Sequence, residues 1–472
     1  MRKGGKAGVG RPAVQIELPL EWGSSSDIAS AAEEPNSDRP SGAAKPVEEG
    51  RPERKKWYSL YDKVYALENL RRAWERVRRK GGSPGCDRQT VKQFGANREA
   101  NLQRLHEELR TKRYRPQPVR RKLIPKTGGG ERPLGIPCVR DRVVQQAVRQ
   151  VLSPIYEPEF SEASYGFRPG RSQHTALTVV ERALRANYTW VVDADVTKFF
   201  DTVDHEVLSD RLNERIADGS VLRLIRLFLK CGVVNPKGEV EATEIGTPQG
   251  GPLSPLLANI YLDPMDHALR ERKFGLVRYA DDFVIFTKSR ERAEEALEVV
   301  RQTFAPLKLH LHPEKTRIAA IEEGFDFLGY NFFRDKKGRT QKVVSRKSFL
   351  RFRDGIRRRT KRHGGQKHPK PKRCTVYRLK RNQRIQAMIA RVNRYLRDWH
   401  PYFRHVRTSW DAMKQFDQYV RTRLRCAISG RNARGRWYKI LPNKLLGEIG
   451  LLSLADLQKP FHTGPVASPR RG

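Results

Sequence analysis

Tyr279-Ala280-Asp281-Asp282 lies between two apolar runs, Phe274-Gly275-Leu276-Val277 before it and Phe283-Val284-Ile285-Phe286 after it. Apolar run, short polar break, apolar run reads as strand, tight turn, strand, with two carboxylates at the tip of a hairpin. Adjacent like charges repel, so a cation must offset them, and a divalent metal is the strongest candidate. A solvated Asp-Asp turn is the competing reading, since Asp is an ordinary turn residue. The rest of the chain decides between the two.

The 472 residues allow a sizeable core and carry 94 Lys and Arg against 53 Asp and Glu, a formal net charge of +41. Such an imbalance opposes compaction unless a polyanion screens it, which points to nucleic acid. No long apolar run or amphipathic anchor supports a membrane role, and the polar start Met1-Arg2-Lys3-Gly4-Gly5 leads into no signal core. Cys86, Cys138, Cys231, Cys374 and Cys426 are scattered and contain no Cys-x-x-Cys pair, against a zinc module or a disulfide framework. A reduced, intracellular, nucleic-acid-binding protein is expected.

Composition and periodicity divide the chain into a disordered tail (1–55), an N-terminal extension leading into the next unit (56–118), a central unit (119–335), a basic linker with a helical unit (336–430), and a basic C-terminal segment (431–472). Val64, Leu67, Leu70, Trp74 and Val77 recur at helical spacing. Around Thr127-Gly128-Gly129-Gly130, basic strands form a hairpin whose Lys126 and Arg132 flank the tip and can reach one anion such as a triphosphate. Arg168 and Arg171, in an aromatic Gly/Pro turn, suit backbone contact with nucleic acid; a purely structural turn remains open. In Trp190-Val191-Val192-Asp193-Ala194-Asp195-Val196 two acids share one strand face, costly beside valines unless paired or metal-bound. Asp204 is placed to cap a helix. Gly246-Thr247-Pro248-Gln249-Gly250-Gly251 is a rigid loop leading into a helix over 256–269. Near the end of the chain, Ile385 to Phe403 form a helical apolar stripe with Arg391, Arg394, Arg397 and Arg404 off it.

The order strand, helix, hairpin, helix, strand is that of a split βαβ sheet, which would bring Asp195 beside Asp281 and Asp282. Two divalent ions on shared carboxylates can activate a 3′-hydroxyl and stabilise a leaving pyrophosphate. Lys126 and Arg132 would neutralise the incoming triphosphate, and Phe199 or Phe200 would stack under its sugar and clash with a 2′-hydroxyl.

The set Arg132-Pro133-Leu134-Gly135-Ile136-Pro137, Tyr165-Gly166-Phe167-Arg168, Asp195-x4-Phe200-Asp201, Gly246-Thr247-Pro248-Gln249-Gly250-Gly251 and Tyr279-Ala280-Asp281-Asp282 resembles a reverse transcriptase. His312-Pro313-Glu314-Lys315-Thr316 and Phe327-Leu328-Gly329-Tyr330 are similar to that family's last palm blocks. Gly85-Cys86-Asp87-x-x-Thr90 and Trp399-x-x-Tyr402-Phe403 narrow the resemblance to bacterial group II intron reverse transcriptase–maturases. The resemblance implies an α+β right-hand polymerase, fingers and palm, followed by an α-helical thumb or maturase domain. It gives Asp195, Asp281 and Asp282 the catalytic, metal-holding roles, with the Val196 carbonyl as an extra ligand to two Mg2+ ions, Mn2+ being a substitute. Lys126, Arg132, Phe199, Phe200 and Gln249 would bind the dNTP. Arg168, Arg171, Gly250, Gly251, Tyr279 and Lys315 would follow template and primer. Arg391, Arg394, Arg397, Trp399, Tyr402, Phe403 and Arg404 would serve the RNA-binding thumb. Group II intron RNA, a DNA target or primer and dNTPs are the implied partners, in the bacterial cytoplasm or nucleoid. No Cys-pair HNH endonuclease pattern follows Trp399, so a form without second-strand cleavage is expected. Two other readings stay open: a splicing factor with an idle polymerase site, and a reverse transcriptase co-opted for phage defence or diversification.

Overall fold

The computed structural model describes residues 55–125, 131–247, 250–361, 375–406, 409–429 and 436–459. The expected disordered tail up to residue 54, Cys374 and the chain end therefore lie outside the described residues.

The N-terminal extension is helical, but its first stripe is two helices, Tyr61–Tyr65 and Leu67–Lys80, broken where Ala66 turns to an extended ψ of 129°. Leu70, Ala73, Trp74 and Val77 form the buried face of the second, which packs on the Val139–Tyr156 helix. The basic hairpin is present: Val119–Pro125 pairs antiparallel with Glu131–Ile136. Cys86 and Cys138, far apart in the chain, bring their sulfurs to 3.5 Å and share the side-chain oxygen of Gln117. The widely spaced cysteines of the sequence thus include one close pair of free thiols.

The central sheet runs in the order Gly275–Tyr279, Asp282–Thr287, Trp190–Asp195, Arg317–Ala320, with every neighbour antiparallel. It is a wall between two cores. Val192, Ala194, Phe283 and Ile285 face one, whereas Val191, Val284 and Phe286 face the other. A sheet covered on both faces needs apolar residues at consecutive positions, which explains the unbroken run from Phe283 to Phe286. The helices Ser254–Glu271 and Arg290–Phe304 cover the first face, and Asp204 caps its helix as expected, accepting from the Glu206 and Val207 amides.

The second core continues from the sheet into the C-terminal half. The hairpin Tyr330–Arg334 with Thr340–Val344 straddles the boundary expected at 335/336. The helices Arg346–Arg359 and Gln383–Phe403 pack there around Phe352, whose ring meets Trp399 at a tilt and Phe416 edge-on. Within the expected C-terminal segment, 436–459 is folded onto this unit: Asp417 accepts from the Ser453 hydroxyl and from the Leu454 and Ala455 amides. Among the described residues no helix is long and apolar enough to cross a membrane.

Candidate active site

Strand register brings the acids together. Asp195 is the direct cross-strand partner of Asp282, which also pairs with Tyr279 across the hairpin turn. Facing residues of an antiparallel pair hold their Cβ atoms about 4.5–5.5 Å apart, and like charges there are destabilising. Burial, followed by the charges of Asp281, Asp195 and Asp193, pushes the Asp282 carboxyl up to about 6, against a smaller opposite pull from Lys347. Asp282 is itself exposed to solvent, so the like charges rather than burial are the part of this shift that persists.

The main chain completes the arrangement. Thr197 donates to the His310 carbonyl and His312 donates to that of Asp195, so Val196 between them turns its own carbonyl toward the opposite edge, the side of the acidic hairpin. Lys315 brings its ammonium to 2.6 Å from Asp195 Oδ2. At 56% exposure this ion pair is worth little, so a better cation displaces it readily. Lys315, expected on template or primer, therefore pairs with Asp195. Asp193, whose role the sequence left open, pairs across strands with Arg317 at 3.6 Å.

The donors are hard carboxylate oxygens plus a backbone carbonyl, which fits Mg2+. Among the described residues no three His, Cys, Asp or Glu side chains close into a metal cage. An open cluster is what Mg2+ tolerates, since it normally takes one or two carboxylates and completes its shell with water and phosphate oxygens.

Several expected contacts are corrected. Arg168 is buried and committed to Glu157 and to the carbonyls of Ser161 and Ser164; it braces the turn and cannot reach a nucleic acid. Arg171 is largely spent on Glu162 and on the ring of Tyr165. Phe199 is 1% exposed, wedged against Phe200 and Tyr261, and Phe200 is buried too, at 9%, so of the two sugar-gate candidates Phe200 is the less enclosed. Trp399 and Phe403 are core residues, stacked on each other. Tyr402 donates its hydroxyl to the Leu328 carbonyl while its own carbonyl accepts from Tyr330, and this exchange locks the helical unit to the palm. Arg391, Arg394 and Arg397 are exposed, and Arg404 is partly buried. Gly250, at φ +135°, lies against the Gly135 carbonyl, and Gly251 against Gln145. Tyr279 is partly buried beside Phe167. Lys126, Gln249 and the Arg132 side chain fall outside the described residues; the Arg132 backbone pairs with Ile124.

Comparison with known proteins gives two family matches: reverse transcriptase (RNA-dependent DNA polymerase) over residues 124–332 and the group II intron maturase-specific domain over 373–444. Protein YkfC of Escherichia coli K12 is 36% identical over 54% of this chain and 77% of its own length. The chain belongs to the group II intron reverse transcriptase/maturase family. Group II intron-encoded protein LtrA of Lactococcus lactis is 42% identical over 38% of this chain and 30% of its own length. A putative COX1/OXI3 intron 2 protein of Saccharomyces cerevisiae is 36% identical over 43% and 23%. The chain thus spans about a third or less of these two intron-encoded relatives. As a reverse transcriptase/maturase it is an RNA-directed DNA polymerase, and its family uses divalent metal ions.

The facing like charges predict a trade of stability against activity. A carboxyl whose pKa is raised by folding contributes stability below its ordinary range, lost as pH rises toward about 6. Asp282→Asn should therefore melt higher than wild type in EDTA at pH 7.5, by about 1 kcal/mol or roughly 1–2 °C after allowing for solvent. The gain should shrink as pH falls from 6 toward 4. Calorimetry at pH 4.5 and 7.5 checks this, and equal melting at both pH values means the acids are not in conflict.

Proposed function

We propose that this reverse transcriptase extends a primer 3′-hydroxyl on group II intron RNA by two-metal nucleotidyl transfer, and binds the same RNA to assist splicing and retrohoming. The observation that carries the reading is the register pairing of Asp195 with Asp282 at the mouth of a turn that ends in Asp281. Asp195, Asp281, Asp282 and the Val196 carbonyl would hold the metals, which supply a lowered hydroxyl pKa and charge stabilisation at the leaving pyrophosphate when bound. The chain's own groups do the rest. Phe200 lies under the incoming sugar. Lys126 and Arg132 would offset the triphosphate charge. Arg391, Arg394 and Arg397 line one exposed face of a helix whose other face is core, a suitable track for RNA phosphates.

Primer extension with dNTPs and magnesium on an intron RNA template tests this. Wild-type protein should make cDNA. Phe200→Ala should make it with weakened exclusion of ribonucleotides, by about 10-fold or more if one steric contact of 1–3 kcal/mol is lost, while Phe199→Ala should instead lower stability. No cDNA from protein that binds the RNA with normal affinity would leave the maturase reading alone standing.

A further inference from the structure

Arg278 is fully buried, in a strand otherwise made of Gly275, Leu276, Val277 and Tyr279. Its Nε and Nη2 bond both carboxylate oxygens of Asp266, which is also fully enclosed. Its remaining nitrogen, Nη1, donates at 3.0 Å to the side-chain oxygen of Asn259 and at 3.0 Å to the carbonyl of Ala280. Asn259 and Asp266 lie seven residues apart on the Ser254–Glu271 helix, hence on one face. The Asn259 amide in turn donates to the Gly166 carbonyl at 2.9 Å.

Ala280 is the residue these bonds reach. Its φ is +60°, a left-handed conformation that costs about 1 kcal/mol or more in a residue with a Cβ and persists only where surroundings enforce it. Ala280 sets the direction in which Asp281 leaves the turn. A buried ion pair is poor at adding stability, since well-packed apolar residues of similar volume often do as well. What the guanidinium adds here is direction: a planar fork held by Asp266 aims its remaining nitrogen at the Asn259 oxygen and the Ala280 carbonyl together.

We propose that Arg278 is a positioning residue for the acidic hairpin, acting through the Ala280 carbonyl to hold Asp281 and Asp282 in the orientation that takes up the metal. The inference rests on reading those two acids as the metal-holding pair. Asp266 orients Arg278, and Asn259 joins the assembly to the Gly166 loop.

The double variant Arg278→Met/Asp266→Leu replaces the pair with apolar side chains, and Arg278→Lys keeps a charge without the fork. Melting temperature, RNA affinity, steady-state kinetics and Mn2+ binding by electron paramagnetic resonance are measured on each, beside Asp281→Ala. Displacing reactive groups by about 1 Å typically costs on the order of 100-fold. The expected result is a kcat reduced about 10- to 100-fold and Mn2+ affinity weakened about 5-fold or more in whichever variant folds, with dNTP KM and RNA affinity within about 2-fold. Mn2+ binding and kcat within about 2-fold of wild type in a folded variant would overturn the role of Arg278. Unchanged Mn2+ binding in Asp281→Ala would instead overturn the reading of the acidic pair on which it rests.

Discussion

Asp281→Ala should abolish cDNA synthesis, lowering it by about 1,000-fold or more, while RNA affinity stays within about 2-fold of wild type. Losing one ligand of a metal that stabilises developing charge removes several kcal/mol from the transition state, and each 1.36 kcal/mol is about a factor of ten. Binding responds differently because it draws on a different set of charges. A +41 chain attracts RNA through many cations, among them the exposed Arg391, Arg394 and Arg397, so one carboxylate among them changes little. Removing a negative charge near the nucleic acid should, if anything, tighten it slightly. Filter binding beside primer extension separates the two. A 10-fold loss of RNA affinity would mean that Asp281 organises the fold around it rather than the chemistry. Asp282→Asn makes the contrast sharper: it should be as inactive as Asp281→Ala yet more heat-stable than wild type above pH 6.

The acidic hairpin, the acidic strand and the fingers hairpin were legible because each joins a strong period to a distinctive polar interruption. Two carboxylates beside Phe283-Val284-Ile285-Phe286 have few structural uses, and the register of the sheet then sets Asp195 against Asp282. Arg168, for which a structural turn stayed open, and Trp399 and Phe403, on the apolar stripe, turn inward for a common reason. Residue type tells what a side chain is able to contact, whereas burial decides what it does contact, and Arg168 has all its visible bonds inside the protein. The helix Arg346–Arg359 was missed because only Phe352, Gly355, Ile356 and Ser348 are buried in a run of arginines, too thin a stripe to stand out. Arg278 did leave a signal: a lone cation within the apolar run leading into the turn. Its meaning needed the Ser254–Glu271 helix, because Asn259 and Asp266 look like ordinary polar positions until the strand lies across them. Asp193 shows the converse, an acid in the right motif whose partner, Arg317, lies on a strand much later in the chain.

Gly166→Ala should both destabilise the protein and remove most of its synthesis, although Gly166 touches no substrate in the proposed reaction. A Cβ at this position would run into the Ala280 amide nitrogen and stand 3.0 Å from the Tyr279 carbonyl carbon and 3.1 Å from the Ala280 Cα. All three are main-chain atoms of the acidic turn, so no side chain can swing aside to make room. Gly166 does not have a positive φ, so its own backbone would accept alanine and the whole cost is the lack of space. Two anchors oppose a shift of the turn: the Arg278 amide donates to the Ala163 carbonyl, and the Tyr165 amide donates to that of Arg278, at 2.9 and 2.8 Å. The loop and the hairpin must separate against these bonds. Overpacking of this kind costs about 1–3 kcal/mol, seen as a lower melting temperature. The separation also moves Asp281 and Asp282 away from Asp195, so kcat should fall by roughly 100-fold for a displacement near 1 Å. Serine at this position brings the same Cβ and should behave as alanine does. Normal synthesis in a folded Gly166→Ala protein would show that the turn moves freely, and that its position does not set the rate.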